Sequence, residues 1–359
     1  MFQKGLKGVV AVQTGIASVD GDKGELRYRG KLVHEVIKGK SFEETAYFLW
    51  HGHSASAAEL EDWEASFIKY RKVPEHILEI AKLLPKEAPI IDGLRTLLSA
   101  YSQQEFSRTT PEQQALSLVS VFPVLTALLY RLQQGLPPID AREALNHTAN
   151  YLWMLKGTEP TAAQIEALET YLKLTMEHGM NASTFAARVT VSTESDMVSA
   201  ITSAIGTMKG PLHGGAPSGV IDLLEEIQSP ERIEPVIAHK LDEGEKIMGF
   251  GHRIYRTEDP RSILLRETCL ALAGEDPWLD LAVSAEQEII RLLNERKPGR
   301  ALYTNVEFYA AAIMRSIDMP PALFTPTFRV ARIVGWTAHV LEQQRDNVIF
   351  RPQSEYIGN

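Results

Sequence analysis

Three histidines and the carboxylate of Glu307 stand in four short segments where a plain helix core would not need them. The segments are Glu177-His178-Gly179-Met180-Asn181-Ala182-Ser183-Thr184, Lys209-Gly210-Pro211-Leu212-His213-Gly214-Gly215-Ala216-Pro217, Met248-Gly249-Phe250-Gly251-His252-Arg253 and Tyr303-Thr304-Asn305-Val306-Glu307-Phe308. Imidazole and carboxylate are the common carriers of protons in active sites, so His178, His213, His252 and Glu307 invite a catalytic reading. Glycines beside His213 and His252 remove side-chain bulk, which would let a ligand or a moving backbone come close to each ring. Taken singly, a histidine is more often structural or exposed, and His34, His51, His53, His76, His147, His239 and His339 are left to that role.

His178 is expected to close a helix, where the negative end of the macrodipole favours imidazolium. Between Lys246 and Arg266 lie Lys246, Arg253, Arg256, Arg261 and Arg266 against only Glu258 and Asp259. Such a run is either a solvated helix face or an anion site, because the arginine fork matches carboxylate and phosphate. Arg332 and Arg351 add further forks. Gly249-Phe250-Gly251 opens like a dinucleotide fingerprint, but Ile254 replaces the final glycine and no strand-rich unit surrounds it. No Walker A loop or GxSxG elbow occurs.

The elements that must position these groups read as helices almost throughout. Only Ser18 to Gly30, with Asp-Gly and Lys-Gly between short apolar runs, signals a β-hairpin. Ser41 with Glu44, Thr110-Pro111 with Gln113, and Thr161 with Gln164 are capping boxes that open helices. The third is followed by Ile165, Leu168, Leu172 and Met176 at helical spacing, with Gly179 as the expected stop. Val198, Ile201, Ile205 and Met208 form another stripe, interleaved with small residues that suit core packing or a subunit interface. Gly/Pro-rich breaks at 206–219 and 319–327 divide the chain into a large helical domain (1–219), a small domain (220–320) and a return to the large domain (321–359). The predicted fold class is all-α with a short N-terminal β-hairpin.

The 359 residues suffice for two domains and a large core. A net charge of -9 argues against a general nucleic-acid surface. One cysteine, Cys269, excludes an internal disulfide framework and any multi-cysteine metal site, which favours a reducing compartment with cytoplasm as the default. No targeting segment is visible, and no apolar stretch reaches the roughly 20 residues of a membrane span.

These motifs, in this order, resemble the citrate synthase family, specifically its shorter bacterial and archaeal type that includes 2-methylcitrate synthases. The resemblance runs from Val19-Asp20-Gly21 to Arg351-Pro352-Gln353-Ser354 and is strongest at Gly210–Pro217, Gly249–Arg261 and Phe324–Gly335. It implies a helical homodimer whose large and small domains close over a cleft, condensing an acyl-CoA with oxaloacetate to citrate, or to 2-methylcitrate from propionyl-CoA. By the family pattern, His213 donates to the thioester carbonyl, Glu307 removes the proton beside it, and His252 binds and polarises the keto group. His178, Arg261, Arg332, and Arg351 from the second subunit match oxaloacetate ligands. Arg256 matches a CoA phosphate contact, and Lys246, Met248, Gly249, Phe250 and Gly251 match the loop for the adenine end. The reading implies no metal and no cofactor beyond the coenzyme A thioester as substrate, and no membrane partner. One departure stands out: most of the family carries aspartate at the position of Glu307, and an extra methylene moves the carboxylate by about a bond length. Two rivals remain at this stage, a zinc or iron hydrolase with His178, His213, His252 and Glu307 as ligands, and a non-catalytic homologue that binds CoA or a dicarboxylate.

Overall fold

The computed structural model describes residues 2–101, 106, 108–213, 218–252, 254–272, 277–297 and 302–358. Arg253 and Gly214-Gly215-Ala216-Pro217 therefore lie outside the described residues, and with them part of two motifs singled out above.

A three-stranded antiparallel sheet opens the chain: β1 (Ala17–Asp20), β2 (Glu25–Tyr28) and β3 (Lys31–Leu32). The expected hairpin pairs Asp20 with Glu25 across its turn. The third strand was not expected. It follows from Arg29 and Gly30, both at positive φ (49° and 82°), which form a two-residue turn joining Tyr28 to Lys31.

Helices carry the rest: α1 (Val33–Ile37), α2 (Phe42–His51), α3 (Ala57–Lys69), α4 (Glu75–Leu83), α5 (Ile90–Ser99), α6 (Pro111–Gln133), α7 (His147–Lys156), α8 (Ala162–Thr175), α9 (Ala182–Ser192), α10 (Met197–Met208), α11 (Ser218–Ile227), α12 (Ile233–Asp242), α13 (Pro260–Ala271), α14 (Pro277–Arg296), α15 (Val306–Ser316) and α16 (Phe324–Arg345). The three capping boxes are formed at the starts of α2, α6 and α8. α8 ends at Thr175, three residues before His178, so this histidine sits in a loop rather than at the C-terminus of a helix. On α10, Val198, Ile201, Ile205 and Met208 are buried while Ser199 and Ser203 are half-exposed, so the apolar stripe is core.

α6 and α16 form the centre of the core, packing on each other and on α2, α5, α7, α8, α9 and α10 between them. α6 is long and apolar enough to cross a membrane, contrary to the expectation that no such stretch exists, yet most of it is buried between other helices. α11 to α15 pack on one another, and α13 and α15 also meet α8. That seam, where α8, α13, α15 and α16 converge, is where the four chemical segments come together.

Candidate active site

His178, His213, His252 and Glu307 line one cavity of about 460 Å³, together with Arg261 and Arg332. A larger cavity of about 720 Å³ lies behind α13 against α1 and α8, and none of the four segments reaches it.

The Gly-Phe-Gly-His loop is stitched to the segment that carries the carboxylate. Gly251 N–H donates to Tyr303 O at 2.7 Å, Asn305 N–H to Gly249 O at 2.9 Å, and Asn305 Nδ2 to Gly251 O at 2.9 Å. Asn305 also caps α15 by accepting from Glu307 N–H at 3.0 Å. His252 and Glu307 are thereby fixed to one another although 55 positions separate them. Gly249 and Gly251 are needed for backbone reasons first: both hold φ near +87°, and a Cβ on Gly249 would lie 2.9 Å from the Phe308 ring.

Hydrogen bonds decide the state of each imidazole. His252 Nδ1 accepts from the backbone N–H groups of Ile254 (3.0 Å) and Tyr255 (3.1 Å), so the proton of the neutral ring is on Nε2. Arg261 Nη2, 3.4 Å from Nε2, is too distant to reverse that choice. Burial, with the Arg261 charge adding to it, pulls His252 down to about 4. His213 is the opposite tautomer: Nε2 accepts from Ser183 N–H at 3.2 Å, with the Ser183 hydroxyl at 2.8 Å, which leaves Nδ1 as the donor. Ser183 is itself held by Trp336 Nε1 (3.0 Å) and Asn181 Oδ1 (2.8 Å). Burial and then Arg332 and Arg329 lower the pKa of His213.

The expected imidazolium at His178 is not supported by the structure. Burial, then the charges of Arg261 and Arg332, push its pKa well below the ordinary value. Its Nε2 meets the Tyr255 hydroxyl at 3.0 Å, and its ring stands edge-on to His252 at 5.7 Å.

Two arginines supply positive charge. Arg261 is buried and forked onto Asp259, with Nε to Oδ1 at 3.0 Å and Nη2 to Oδ2 at 2.7 Å. Arg332, buried on α16, donates from Nε to Thr175 O at 2.8 Å and lies over the Phe328 ring. Glu307 is half-buried, and burial, opposed by Arg261, raises its pKa.

The remaining candidates stand apart. Arg351 is exposed in the tail beyond α16, outside the cavity. Arg256 is exposed and pairs with Asp22 at 3.4 Å. Lys246 and Met248 are exposed, while Gly249 is buried and Phe250 packs against Phe308. The basic run is therefore not one patch: Arg266 is neutralised by Glu258 and by Glu286 of α14, and within the run Arg261 is the described arginine that enters the cavity. Among the described residues no three histidine, cysteine or carboxylate side chains are grouped as metal ligands, and the lone pairs of His252 Nδ1 and His213 Nε2 are already used. The hydrolase alternative lacks a ligand set there. Tyr255 and the orienting role of Ser183 escaped the sequence reading. Asp259 entered the sequence reading as one of two acids in the basic run, not as the N-cap of α13 or the counter-charge of Arg261.

The family model for the citrate synthase C-terminal domain matches residues 5–353. Citrate synthase 2 of Bacillus subtilis is 39% identical over 99% of this chain and 95% of its own length. A 2-methylcitrate synthase of Shewanella oneidensis is 35% identical over 99% of this chain and 94% of its own. The ternary complex of carboxymethyl coenzyme A and oxaloacetate with citrate synthase from Thermoplasma acidophilum superposes with a TM-score of 0.88 at 29% identity, covering 100% of this chain and 97% of that one. With the helical fold, the ordered motifs and these matches in hand, the chain belongs to the citrate synthase family of acyltransferases, which convert the acyl group into an alkyl group on transfer.

Proposed function

We propose that this protein condenses an acyl-CoA with oxaloacetate and hydrolyses the resulting thioester, giving citrate from acetyl-CoA, with 2-methylcitrate from propionyl-CoA as the alternative. The observation that carries the reading is the pair of neutral imidazoles held as opposite tautomers beside a carboxylate in one cavity. A proton next to a thioester is weakly acidic, so a carboxylate removes it only if the enolate oxygen is stabilised at the same time. Glu307 takes the proton from the carbon beside the thioester carbonyl, and His213 Nδ1–H donates to the oxygen where charge builds. A preorganised donor of this kind contributes roughly 2.7 to 4 kcal/mol. The enol carbon then forms a bond to the keto carbon of oxaloacetate, whose oxygen takes its hydrogen bond from His252 Nε2–H. Water attacks the thioester of the product and the CoA thiol leaves.

The dicarboxylate reading of Arg261, Arg332, His178 and His252 has a specific support. Arg261 Nη2 and His252 Nε2 are two donors 3.4 Å apart with no protein acceptor shared between them, and a ligand oxygen would serve both. The segment from Lys246 to Gly251, with Lys246 and Met248 exposed and Gly251 lining the cavity, and exposed Arg256 are assigned to CoA. Arg351 is assigned to the oxaloacetate of a partner subunit in a homodimer, consistent with its exposure and its distance from the cavity of its own chain. Residues 220–320 form the small domain between two parts of the large one (1–219 and 321–359), and its closure would exclude water from the acyl-CoA. The substrate thioester serves without a further cofactor.

Thiol release with oxaloacetate and either acetyl-CoA or propionyl-CoA tests this, and the ratio of kcat/KM values chooses the acyl group. Glu307→Gln should nearly abolish release, whereas Glu307→Asp, which shortens the reach by about a bond length, should retain or raise it. A fully active Gln variant removes Glu307 from the role of base.

A further inference from the structure

Directly behind the cavity lies a chain of buried polar groups that the condensation chemistry does not use. Arg188 on α9 and His339 and Gln343 on α16 are each 5% exposed or less, and Glu177, the residue before His178, is fully buried. Arg188 donates to His339 Nδ1 from Nε (3.0 Å) and Nη2 (2.8 Å), and to Gln343 Oε1 at 2.9 Å. Arginine has no acceptor, so Nδ1 must present a lone pair and the ring hydrogen is on Nε2. That nitrogen lies 3.3 Å from Glu177 Oε1, a charge contact outside hydrogen-bond geometry.

The carboxylate occupies a slot left by the missing side chain of Gly335: a Cβ there would lie 2.4 Å from Glu177 Oε2 and 2.4 Å from Met176 O. The same short segment binds Arg332 through Thr175 O at 2.8 Å, and the Glu177 charge works against the effect of burial on the Arg332 guanidinium. At its far end the network reaches the C-terminal tail. Gln343 Nε2 donates to Asn347 Oδ1 (3.1 Å), Asn347 Nδ2 to Ser192 O (3.0 Å), and Phe350 N–H to Ser192 Oγ (3.2 Å), one residue before Arg351.

We infer that Arg188, His339 and Glu177 form a positioning relay that holds His178 and Arg332 in register for the dicarboxylate and ties them to the tail that carries Arg351. None of the three touches substrate; they act through the segment 175–178 and through α16. This rests on the oxaloacetate reading of the site. A purely structural network would, when cut, lower the folded fraction and so depress turnover with both substrates alike. A positioning relay would instead weaken the dicarboxylate selectively, because only its ligands lose their anchor.

The test is steady-state kinetics on full-length Glu177→Gln, which keeps size and removes the charge, and on His339→Asn, whose Oδ1 can still accept from Arg188 but whose amide cannot reach Glu177. The KM for oxaloacetate should rise about tenfold to a hundredfold, the scale of an ångström of misplacement. The KM for acetyl-CoA should move less than twofold, and calorimetric titration with oxaloacetate alone should show the same loss. Glu177→Asp should recover part of it. A folded variant with an unchanged oxaloacetate KM, or equal losses that fall on kcat alone, overturns the relay; so does failure of both variants to fold, which would make the network a matter of stability. Wild-type protein that releases no thiol refutes the condensation reading instead, so the two failures are separable.

Discussion

Replacing Asp259 with asparagine attacks the buried ion pair that holds Arg261 in the cavity wall, and the structure says what each bond is doing. Asp259 is 1% exposed and Arg261 4%. Oδ1 accepts from Arg261 N–H and from Arg261 Nε, both at 3.0 Å, while Oδ2 accepts from Arg261 Nη2 at 2.7 Å and from Val306 N–H at 3.3 Å. One aspartate thus caps α13, fixes the arginine fork and reaches across to the start of α15, which carries Glu307. In Asp259→Asn the Oδ1 bonds survive, but an amide NH₂ now faces two donors. The charge-assisted bond is worth roughly 1.5 to 3 kcal/mol and an orphaned buried donor costs roughly 1 to 3 kcal/mol more. The sum agrees with the roughly 3 to 5 kcal/mol typical when one partner of a buried pair is removed. Thermal and urea unfolding should therefore show a clear loss of stability. Because Arg261 loses its fork and Glu307 its tether, thiol-release kinetics should also show the oxaloacetate KM raised about tenfold or more. An asparagine variant with a melting midpoint within about a degree of wild type and an oxaloacetate KM within twofold would refute the argument.

Two further outcomes follow from charge. The pH profile of kcat/KM should have an acid limb set by Glu307 and not by His252. The raised pKa of Glu307 means that the ionised base is lost as pH falls through that value, whereas the neutral form of His252, lowered to about 4, persists. Glu307→Asp should move that limb, and a limb unmoved by it would show that another group controls the fall. Arg329 is 1% exposed, its Nε and Nη1 have no hydrogen-bond partner among the described residues, and burial pulls it down to about 10. That shift from 12.5 corresponds to about 3 kcal/mol of penalty at neutral pH. Arg329→Met should accordingly raise the melting midpoint despite losing the 3.1 Å bond to Met208 O, and a lower midpoint would contradict this.

The helical fold was legible because its signals are local. Ser41, Thr110 and Thr161 each announce a helix start within four residues, and the start of the chain announces a turn by Asp-Gly. The third strand was missed because the left-handed pair Arg29-Gly30 carries only one glycine, and arginine gives no hint of positive φ. Among the residues assigned to ligand in the proposed reaction, His213 and His252 were visible through their flanking glycines, whereas the roles of Arg261, Arg332 and Arg351 came from the family resemblance. What escaped is what acts over long separations. Tyr255 reaches His178 across 77 positions and Trp336 steadies Ser183 across 153, and no spacing rule connects them. The charge of His178 was misjudged for the same reason: a helix-end argument counts one local dipole, but the ring lies between Arg261 and Arg332, brought there by other helices.

Neutrality of the imidazoles follows from this placement rather than from either histidine alone. Each cavity arginine feels a buried acid: Asp259 pairs with Arg261 at 2.7 Å, and the charge of Glu177 acts on Arg332. Burial first, and then the charge of Arg261 at His178 and His252 and of Arg332 at His178 and His213, makes a second proton on any of them unfavourable. A ring that is neutral and still donates must be held in the right tautomer, which is the part played by Ser183 N–H at one histidine and by Ile254 and Tyr255 N–H at the other. The anionic substrate then brings the negative charge that the arginines lack. In the proposed reaction, binding it first would relax the electrostatic pressure on the imidazoles, and the backbone N–H groups of Ser183, Ile254 and Tyr255 would still favour the same tautomers. The same hydrogen bonds would thus serve the free and the loaded site.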